Sequence, residues 1–389
     1  MTATAFIRDA YLGARGSALR GLVPLVKANG RTVPAPGDAR RILFIRIDRV
    51  GDLVLSTPAL KAIKSAFPGS ELTVLASPGA CGILDNNPHV DRVVVYDRTA
   101  SMAARAAVLR GLREGRYDLA VDPLDDWDLE PALIAAWSAA PVRIGYAGAG
   151  REVFFNRILE RPRIPAPAVD AALRVLQPLG IRTADRKPQI ALLEQEKAQA
   201  GQWLAERLNG GAPVVGIHPG ATYGTQRWMP DYFVELADRL AKEGAAVMLL
   251  GGPSDGALVE RIAGRMRSRS AIRVVAGNLR RFCALLWHCR LLVCNNSGPL
   301  HVACSLDVPT VSFMGPTVME RWYPAGEGHT VLRKGNLPCI GCNSGRCRVG
   351  THDCMRLITP SDAFESVCRV LKARGPSRST STDNREPAG

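Results

Sequence analysis

The stretch IRIDRVGDLVLSTPALKAIKSAFPG (45–69) leads from the end of an apolar segment, through a turn, into a helical pattern. The segment before the turn, RILFIRI (41–47), is short and β-rich, which is typical of a strand buried on both faces. Gly51 permits a tight turn or a close approach to a ligand. Asp52 follows at the carboxyl end of the strand, where open α/β sheets bind their ligands. The stretch predicts a strand, a ligand-facing turn and a helix.

The position of Asp52 fits two roles. A carboxylate at the start of a helix can cap its free N–H groups. It can also act as a general base that takes a proton from an attacking hydroxyl. The turn contains neither GxGxxG nor GxxxxGK[ST], so the sequence predicts neither a dinucleotide fingerprint nor a P-loop. A dehydrogenase is disfavoured on this ground.

Outward from this unit, strand and helix patterns alternate in two series. The strand candidates are 41–47, 71–76, 91–96 and 117–121, then 213–220, 245–252, 272–277, 290–295 and 308–315. The helix candidates are 56–67, 79–86, 102–114, 230–243, 254–267, 279–288, 298–306 and 360–372. Such alternation predicts parallel sheets with right-handed crossovers, hence an α/β doubly wound architecture. The irregular region 145–195 is interpreted as the end of one Rossmann-like domain and a hinge into another.

Composition narrows the class of protein. The chain has 389 residues, of which 47% are apolar, which argues against a wholly disordered protein. Neither a Gly repeat nor a sustained heptad is present, so collagen-like and coiled-coil proteins are excluded. Its 50 Lys and Arg against 36 Asp and Glu give a net charge of +14, which favours anionic ligands such as nucleotides, phosphorylated glycans or lipid head groups. Nucleic acid is disfavoured, because only 6% of residues are aromatic and no reader motif is present.

The termini differ from the interior. Residues 1–38 are basic and contain interspersed apolar residues, which fits either a frayed or self-packed helix or an interfacial helix attracted to anionic lipid. Neither a secretory signal nor a bilayer-spanning run is found, so the sequence predicts a cytoplasmic protein, with peripheral attachment to the inner face of the inner membrane as an option. Residues 375–389 are rich in Gly, Pro, Ser and Thr and are expected to be disordered.

A second candidate site, IHPGATYGTQRWMPDYF (217–233), follows a strand of the second series. Gly220 and Thr222 lie in a small-residue loop whose backbone N–H groups could approach phosphate, and Arg227 could pair with phosphate oxygens. The alternative is an ordinary surface loop.

A third candidate site, VCNNSGPLHVACSLDVPTVSFMGPT (293–317), also joins a strand to a helix. Asn296 and Ser297 lie where the helix begins, so its free N–H groups and positive dipole end are directed beyond the strand. Gly298 would let a pyrophosphate come close. His301, one turn further, could hydrogen-bond a ligand oxygen or serve only the structure.

The fourth site is the cysteine-rich stretch CIGCNSGRCRVGTHDCM (339–355). Four clustered thiols could hold a structural Zn²⁺, could form a reversible disulfide, or could remain unbridged in a loop near the domain cleft. The spacing is not that of two CxxC knuckles, and unbridged thiols are favoured. The four residues are Cys339, Cys342, Cys347 and Cys354.

Taken together, these segments resemble the ADP-heptose:lipopolysaccharide heptosyltransferase family, glycosyltransferase family 9. The resemblance covers residues 41–372 and rests on IRIDRVGDLVLSTPAL, HPGATYGTQRWMP, LLGGPSD (249–255) and NNSGPLHVACSLDVPTVSFMGPT in that order. It implies a GT-B fold, in which two Rossmann-like domains face each other across a cleft. It also implies an inverting transfer that requires no metal or other cofactor.

The resemblance assigns roles to individual residues. Asp52 matches the catalytic base, Thr222 a phosphate-contacting position, and Asp255 a place where an acidic residue is associated with donor binding. Two departures concern the donor: Gln226 stands where the family has Lys, and Asn296 where it has Asp. Both remove a charge near the expected donor and put the identity of the sugar and base in question. The helix-start donor motif is matched by Ser297, Gly298 and His301.

Composition and the resemblance together predict the domain plan, and the resemblance predicts the partners. The plan is a basic arm (1–38), an acceptor domain (39–185), a nucleotide-sugar domain (186–359), a C-terminal helix (360–374) and the tail (375–389). The expected partners are a nucleotide-sugar donor such as ADP-heptose and a lipid-linked saccharide acceptor such as lipopolysaccharide core. The alternatives are a relative that uses another nucleotide sugar and a nucleotide-sugar-binding protein without turnover.

Overall fold

A computed structural model of the chain describes residues 3–21, 38–162, 164–208, 212–268 and 270–373. The described strands form two parallel sheets of six strands each. The first sheet contains β1 (Arg41–Arg46), β2 (Glu71–Ala76), β3 (Arg92–Val95), β4 (Leu119–Val121), β5 (Val142–Tyr146) and β6 (Arg157–Leu159). The second contains β7 (Val214–His218), β8 (Ala246–Gly251), β9 (Ile272–Val275), β10 (Leu291–Asn295), β11 (Thr310–Phe313) and β12 (His329–Leu332).

Helices connect the strands within each half. Those of the first half are α1 (Ala3–Arg20), α2 (Val50–Ala66), α3 (Met102–Glu114), α4 (Glu130–Trp137) and α5 (Ala168–Arg174). Those that follow are α6 (Glu194–Ala205), α7 (Pro230–Lys242), α8 (Gly256–Arg265), α9 (Leu279–Trp287), α10 (Gly298–Ser305), α11 (Met319–Trp322), α12 (Asp353–Arg356) and α13 (Pro360–Ala373).

The two sheets have the same strand order. The first reads β3-β2-β1-β4-β5-β6, and the second reads β9-β8-β7-β10-β11-β12. In each, the strand order reverses between the first and fourth strands, the point at which doubly wound sheets bind ligands. The turn that carries Asp52 follows β1, and the two other candidate loops follow β7 and β10. The fold thus confirms the predicted α/β, doubly wound architecture with two Rossmann-like halves.

β1 is buried on both faces, as expected for a strand whose sheet is covered by helices on both sides. Ile42 and Phe44 belong to one hydrophobic cluster, and Leu43 and Ile45 to another, with all four at most 1% exposed. The first cluster continues through Leu300 of α10 in the other half. The core therefore crosses from one half to the other where α2 packs against α10.

Parts of the sequence-based plan need correction. The region 145–195 is not only a hinge, because it contains the end of β5 together with β6 and α5. The helix predicted at 56–67 begins at Val50, with Pro58 inside it, and only a 3₁₀ turn at Cys81–Leu84 occupies the helix predicted at 79–86. The domain boundary at 185/186 stays a prediction.

The predictions for the two termini fall largely on residues that lie outside the described ranges. These are residues 22–37 of the arm and the tail from residue 374. The described part of the arm, α1, packs on its own half: Arg15 donates to the carbonyls of Ala149 and Trp127, at 3.0 and 2.8 Å, and Arg20 pairs with Glu152 at 3.0 Å. Of the helices that the structure describes, none has the length and apolar content needed to cross a membrane.

Candidate active site

The candidate site lies where α2 and α10 meet at their N-terminal turns. A Cβ atom added to Gly51 would lie 3.1 Å from Cδ2 of His301 and 3.2 Å from Cα of Gly298. Gly51 was predicted to allow a turn or a ligand, and Gly298 to admit a pyrophosphate. In the structure the two glycines allow close approach of the two halves, which brings Asp52 and His301 into one region; their contacts with a ligand stay a prediction.

Asp52 is held in the first turn of α2 by Arg46, the last residue of β1. Nη2 of Arg46 donates to Oδ1 of Asp52 and its Nε donates to the main-chain carbonyl of Asp52, both at 3.3 Å. The Asp52 side chain is 17% exposed, so its carboxylate remains accessible. The N-cap residue of α2 is Arg49, whose side chain makes no capping hydrogen bond; the capping role considered for Asp52 stays a prediction.

A second carboxylate, Asp48, was missed by sequence reasoning. Its Oδ1 lies 3.3 Å from Nε of Arg46 and is buried without a hydrogen bond. Burial raises the pKa of Asp48 to about 7; the positive charge of Arg46 opposes this shift, and the nearby charge of Asp52 adds to it. The sequence did contain a signal for this residue. Asp48 lies four residues before Asp52 and, like Asp52, follows the end of β1.

The loop after β4 completes the charged side of the site. Asp125 accepts hydrogen bonds from both terminal nitrogens of Arg321, at 2.8 and 2.5 Å, and Arg321 comes from α11 of the other half. Burial alone would raise the pKa of Asp125, but the hydrogen bond and charge of Arg321 lower it overall. This bidentate pair joins the two halves. No local pattern could have found it, because its members are separated by 196 positions in the sequence.

The loop after β7 offers an exposed polar position, Thr222. Its backbone is secured by Asn295, a fully buried residue that sequence reasoning missed: Nδ2 of Asn295 donates to the carbonyls of Pro219 and Gly220 at 2.8 and 3.2 Å. Oδ1 of Asn295 accepts from the backbone N–H of Trp228 at 2.8 Å. The end of β10 thereby sets the shape of the β7 loop.

Two residues predicted to bind the donor make contacts within this loop. Nε and Nη2 of Arg227 both donate to the carbonyl of Ala221, at 3.0 and 2.9 Å. Asp255 packs against Gly220 and lies 3.5 Å from Nε2 of His218. Burial alone would raise the pKa of Asp255, but the hydrogen bond and charge of His218 lower it overall.

The start of α10 contains buried polar groups without partners. Nδ2 of Asn296 and Nδ1 of His301 are buried and make no hydrogen bond. The same holds for Oγ1 of Thr317, after β11. Burial lowers the pKa of His301 to about 4, so its imidazole is neutral at pH 7. Ser297 is half-buried, and its hydroxyl donates to the carbonyl of Asn295 at 3.4 Å. Unsatisfied buried groups are uncommon, and here they gather at the edge where doubly wound sheets bind ligands.

The cysteine-rich loop packs beside the β7 loop. Oγ1 of Thr225 donates to the carbonyl of Ser344 at 2.7 Å, and Nε2 of His352 lies 2.6 Å from the carbonyl oxygen of Thr225. Burial, and to a lesser degree the neighbouring thiols of this loop, raise the pKa of Cys354 to about 11. All four thiols are unbridged, as favoured above; they are Cys339, Cys342, Cys347 and Cys354.

The zinc interpretation of these thiols is not supported. Among the described residues, no group of three or more His, Cys, Asp or Glu side chains is arranged to hold a metal ion. Cys342 is exposed whereas Cys354 is buried, so the four sulfur atoms lie in unlike environments. The spacing alone did not define a site.

Comparisons with known proteins agree with this architecture. The chain is 27% identical over 356 residues to lipopolysaccharide heptosyltransferase 2 of Salmonella typhimurium, covering 86% of this chain and 99% of that protein. A glycosyl transferase family 9 structure from Veillonella parvula superposes with a TM-score of 0.76 at 23% identity, covering 88% of this chain and all of that one. The structure of E. coli ADP-heptose lps heptosyltransferase II gives a TM-score of 0.70 at 24% identity, covering 86% and 99% of the two chains.

These structures share the fold of two facing Rossmann-like halves, which confirms the GT-B expectation. The sequence profile of glycosyltransferase family 9 (heptosyltransferase) matches residues 105–352, more than half of the chain. The match includes the β7 loop, the start of α10 and most of the cysteine-rich loop. The chain therefore belongs to glycosyltransferase family 9, the heptosyltransferase family, and is a glycosyltransferase.

Proposed function

We propose that the protein transfers a heptose or a related sugar from an ADP-sugar to a lipopolysaccharide core or similar saccharide, with inversion at the anomeric carbon. The observation that carries this proposal is the position of Asp52, an accessible carboxylate on α2 directly beside the contact with α10. Family membership supplies the reaction class, and relatives named as lipopolysaccharide heptosyltransferases suggest the donor and acceptor.

In the proposed reaction, the acceptor hydroxyl oxygen attacks the anomeric carbon from the face opposite the leaving group. The new carbon–oxygen bond forms as the bond to the diphosphate oxygen breaks, and the leaving diphosphate keeps that electron pair. The hydroxyl proton passes to Asp52, whose carboxylate is oriented by Arg46. A single displacement with one base and one leaving group gives inversion.

The second half is proposed to bind the donor. The N-terminal end of α10, beginning at Gly298, and the exposed loop at Thr222 present donors to the diphosphate, which stabilises the charge that develops on the leaving group. The unpartnered Nδ2 of Asn296 and Nδ1 of His301 are candidates to contact the donor. Arg227 and Asp255 are assigned a supporting role, because both are engaged by the loop itself. The proposed transfer uses no metal.

A donor screen tests the proposal. ADP-, UDP- and GDP-linked sugars are compared in two assays, calorimetric binding and formation of glycosylated acceptor. Binding and turnover of an ADP-heptose are expected. Turnover with another nucleotide would support the alternative raised by Gln226 and Asn296, a relative with a different donor. Binding without product would indicate a nucleotide-sugar-binding protein.

We also propose peripheral contact with an anionic membrane, because the acceptor is expected to be lipid-linked. The surface of α3 fits this contact: Leu112 is its only buried residue, and Met102 is 76% exposed. Beside it, Trp137 of α4 is 46% exposed with the guanidinium of Arg113 5.6 Å from its ring centre. Exposed aliphatic and aromatic groups next to arginines are typical of helices that lie in the lipid interface.

Reversing three charges on this surface tests the contact. The triple variant Arg110→Glu/Arg113→Glu/Arg116→Glu is expected to bind anionic vesicles at least about a hundredfold more weakly, because each of the three cations lost contributes about 1 kcal/mol near such a surface. Flotation with phosphatidylglycerol-containing vesicles measures this, with neutral vesicles as the baseline. The control is an equal charge change on the other half, Arg207→Glu/Arg265→Glu/Arg273→Glu; equal losses in both variants would contradict a specific surface.

A further inference from the structure

One guanidinium serves two carboxylates at the candidate site. Arg46 is 5% exposed; its Nε lies 3.3 Å from Oδ1 of Asp48, and its Nη2 donates to Oδ1 of Asp52 at 3.3 Å. The contact with Asp52 is a hydrogen bond, whereas the buried Oδ1 of Asp48 accepts none. Asp48 thus lies close to Arg46, the residue that orients Asp52, but its Oδ1 accepts no hydrogen bond from Arg46.

The groups around Asp48 that act on its ionisation are one cation and two further carboxylates. The groups that influence its ionisation are Arg46 on β1, Asp52 on α2 and Asp126 in the loop after β4. Arg46 itself also interacts with Asp122 and Asp125 of that loop, and Asp125 is neutralised from the other half by Arg321. Burial of the Asp48 carboxyl raises its pKa to about 7, near the working pH of most enzymes.

We propose that Asp48 is a positioning residue for glycosyl transfer: it competes with Asp52 for the guanidinium of Arg46, and this competition sets how strongly Arg46 restrains the base. The inference rests on the proposed function, because it requires Asp52 to accept the proton of the acceptor hydroxyl. Asp48 itself touches no reacting atom in this scheme. It acts only through the charge that it shares with Arg46.

The direction of the effect follows from charge. When Asp48 is protonated, the charge of Arg46 is balanced by Asp52 alone and Arg46 restrains the base fully. When Asp48 loses its proton, Arg46 is shared between two carboxylates, so its restraint on Asp52 weakens. The turnover number should therefore rise between pH 6 and pH 8.

The pH dependence of turnover in three full-length proteins tests this. At saturating donor and acceptor, Asp48→Asn should match the wild type at pH 6 and lack the rise, so that it is about three- to tenfold slower at pH 8, a difference of about 0.6–1.4 kcal/mol in activation free energy. Asp48→Glu keeps a carboxylate and should keep the rise. A rise retained by Asp48→Asn, or an equal loss at every pH, would overturn the inference.

A second measurement does not depend on turnover. A carboxyl whose pKa is raised in the folded state stabilises the fold at pH 4 and below, and this contribution is lost as the pH rises to about 7. The difference between the melting temperature of Asp48→Asn and that of the wild type should therefore shift in favour of the variant as the pH rises from 5 to 8. Melting temperatures of the two proteins that change in parallel with pH would contradict the inference.

The two proposals fail in different ways. Absence of product from the wild type at every pH would contradict the proposed function, whereas product formation with the same pH profile in Asp48→Asn and the wild type would contradict only the role of Asp48.

Discussion

Replacement of Asp52 by Asn is expected to lower kcat by about 10²–10⁴, the usual contribution of a positioned general base. The amide preserves the size of the side chain and its contact with Arg46, but it cannot accept the hydroxyl proton. The binding constant of the donor should change little, because the donor is proposed to lie against α10 and the β7 loop. Single-turnover product formation and calorimetry with ADP-heptose measure the two quantities.

Two controls separate loss of the base from loss of charge or of fold. Glu260→Gln removes one negative charge from a surface pair with Arg273 on the other half and should turn over normally. A melting temperature of Asp52→Asn close to that of the wild type would exclude unfolding as the cause. Near-normal turnover by Asp52→Asn would remove the carboxylate from the proposed role.

The fold around Asp52 could be predicted because its signals are local. An apolar run, a glycine and a helical pattern lie within 41–69, and each of these features depends only on neighbouring residues. The short strands β5 and β6 were missed for the opposite reason. They contain five and three residues, and the arginines within them interrupt the apolar pattern, so their place in the sheet depends on pairing with β4 and with each other.

The site could be predicted in outline but not in its contacts. The sequence placed Thr222, Ser297 and His301 at strand ends, and the shared strand order of the two sheets puts those ends at the switch points. What a side chain contacts there depends on distant residues. Arg227 has a carbonyl of its own loop beside it, and Gly51 has the other half's Gly298, neither of which spacing reveals.

The largest effect on stability is expected from Arg151, which holds the loop after β4. Its guanidinium donates to Oδ2 of Asp122 and to the carbonyl of Leu124, both at 2.5 Å, and to the carbonyl of Asp126 at 3.0 Å. The side chains of Arg151 and Asp122 are both 0% exposed. Burial raises the pKa of Asp122 even though the charge of Arg151 opposes that shift.

Arg151→Met is expected to lower the free energy of unfolding by about 3–5 kcal/mol at pH 8, because it leaves a buried carboxylate without its counter-charge. The loss should be smaller at pH 5, since without Arg151 the pKa of Asp122 rises further and the carboxyl takes up a proton. Urea unfolding at the two pH values measures both changes.

The double variant Arg151→Met/Asp122→Asn identifies the cause. If the unpaired charge is responsible, removing it should restore part of the stability at pH 8, and the two substitutions should be strongly non-additive. Arg116→Met, on an exposed residue of the same half, should change the free energy of unfolding by no more than about 0.5 kcal/mol.

Because the loop held by Arg151 also carries Asp125, the double variant should weaken the pairing with Arg321 and raise the KM for donor or acceptor. A loss below about 1 kcal/mol for Arg151→Met at pH 8 would show that the loop is held by packing and not by this ion pair.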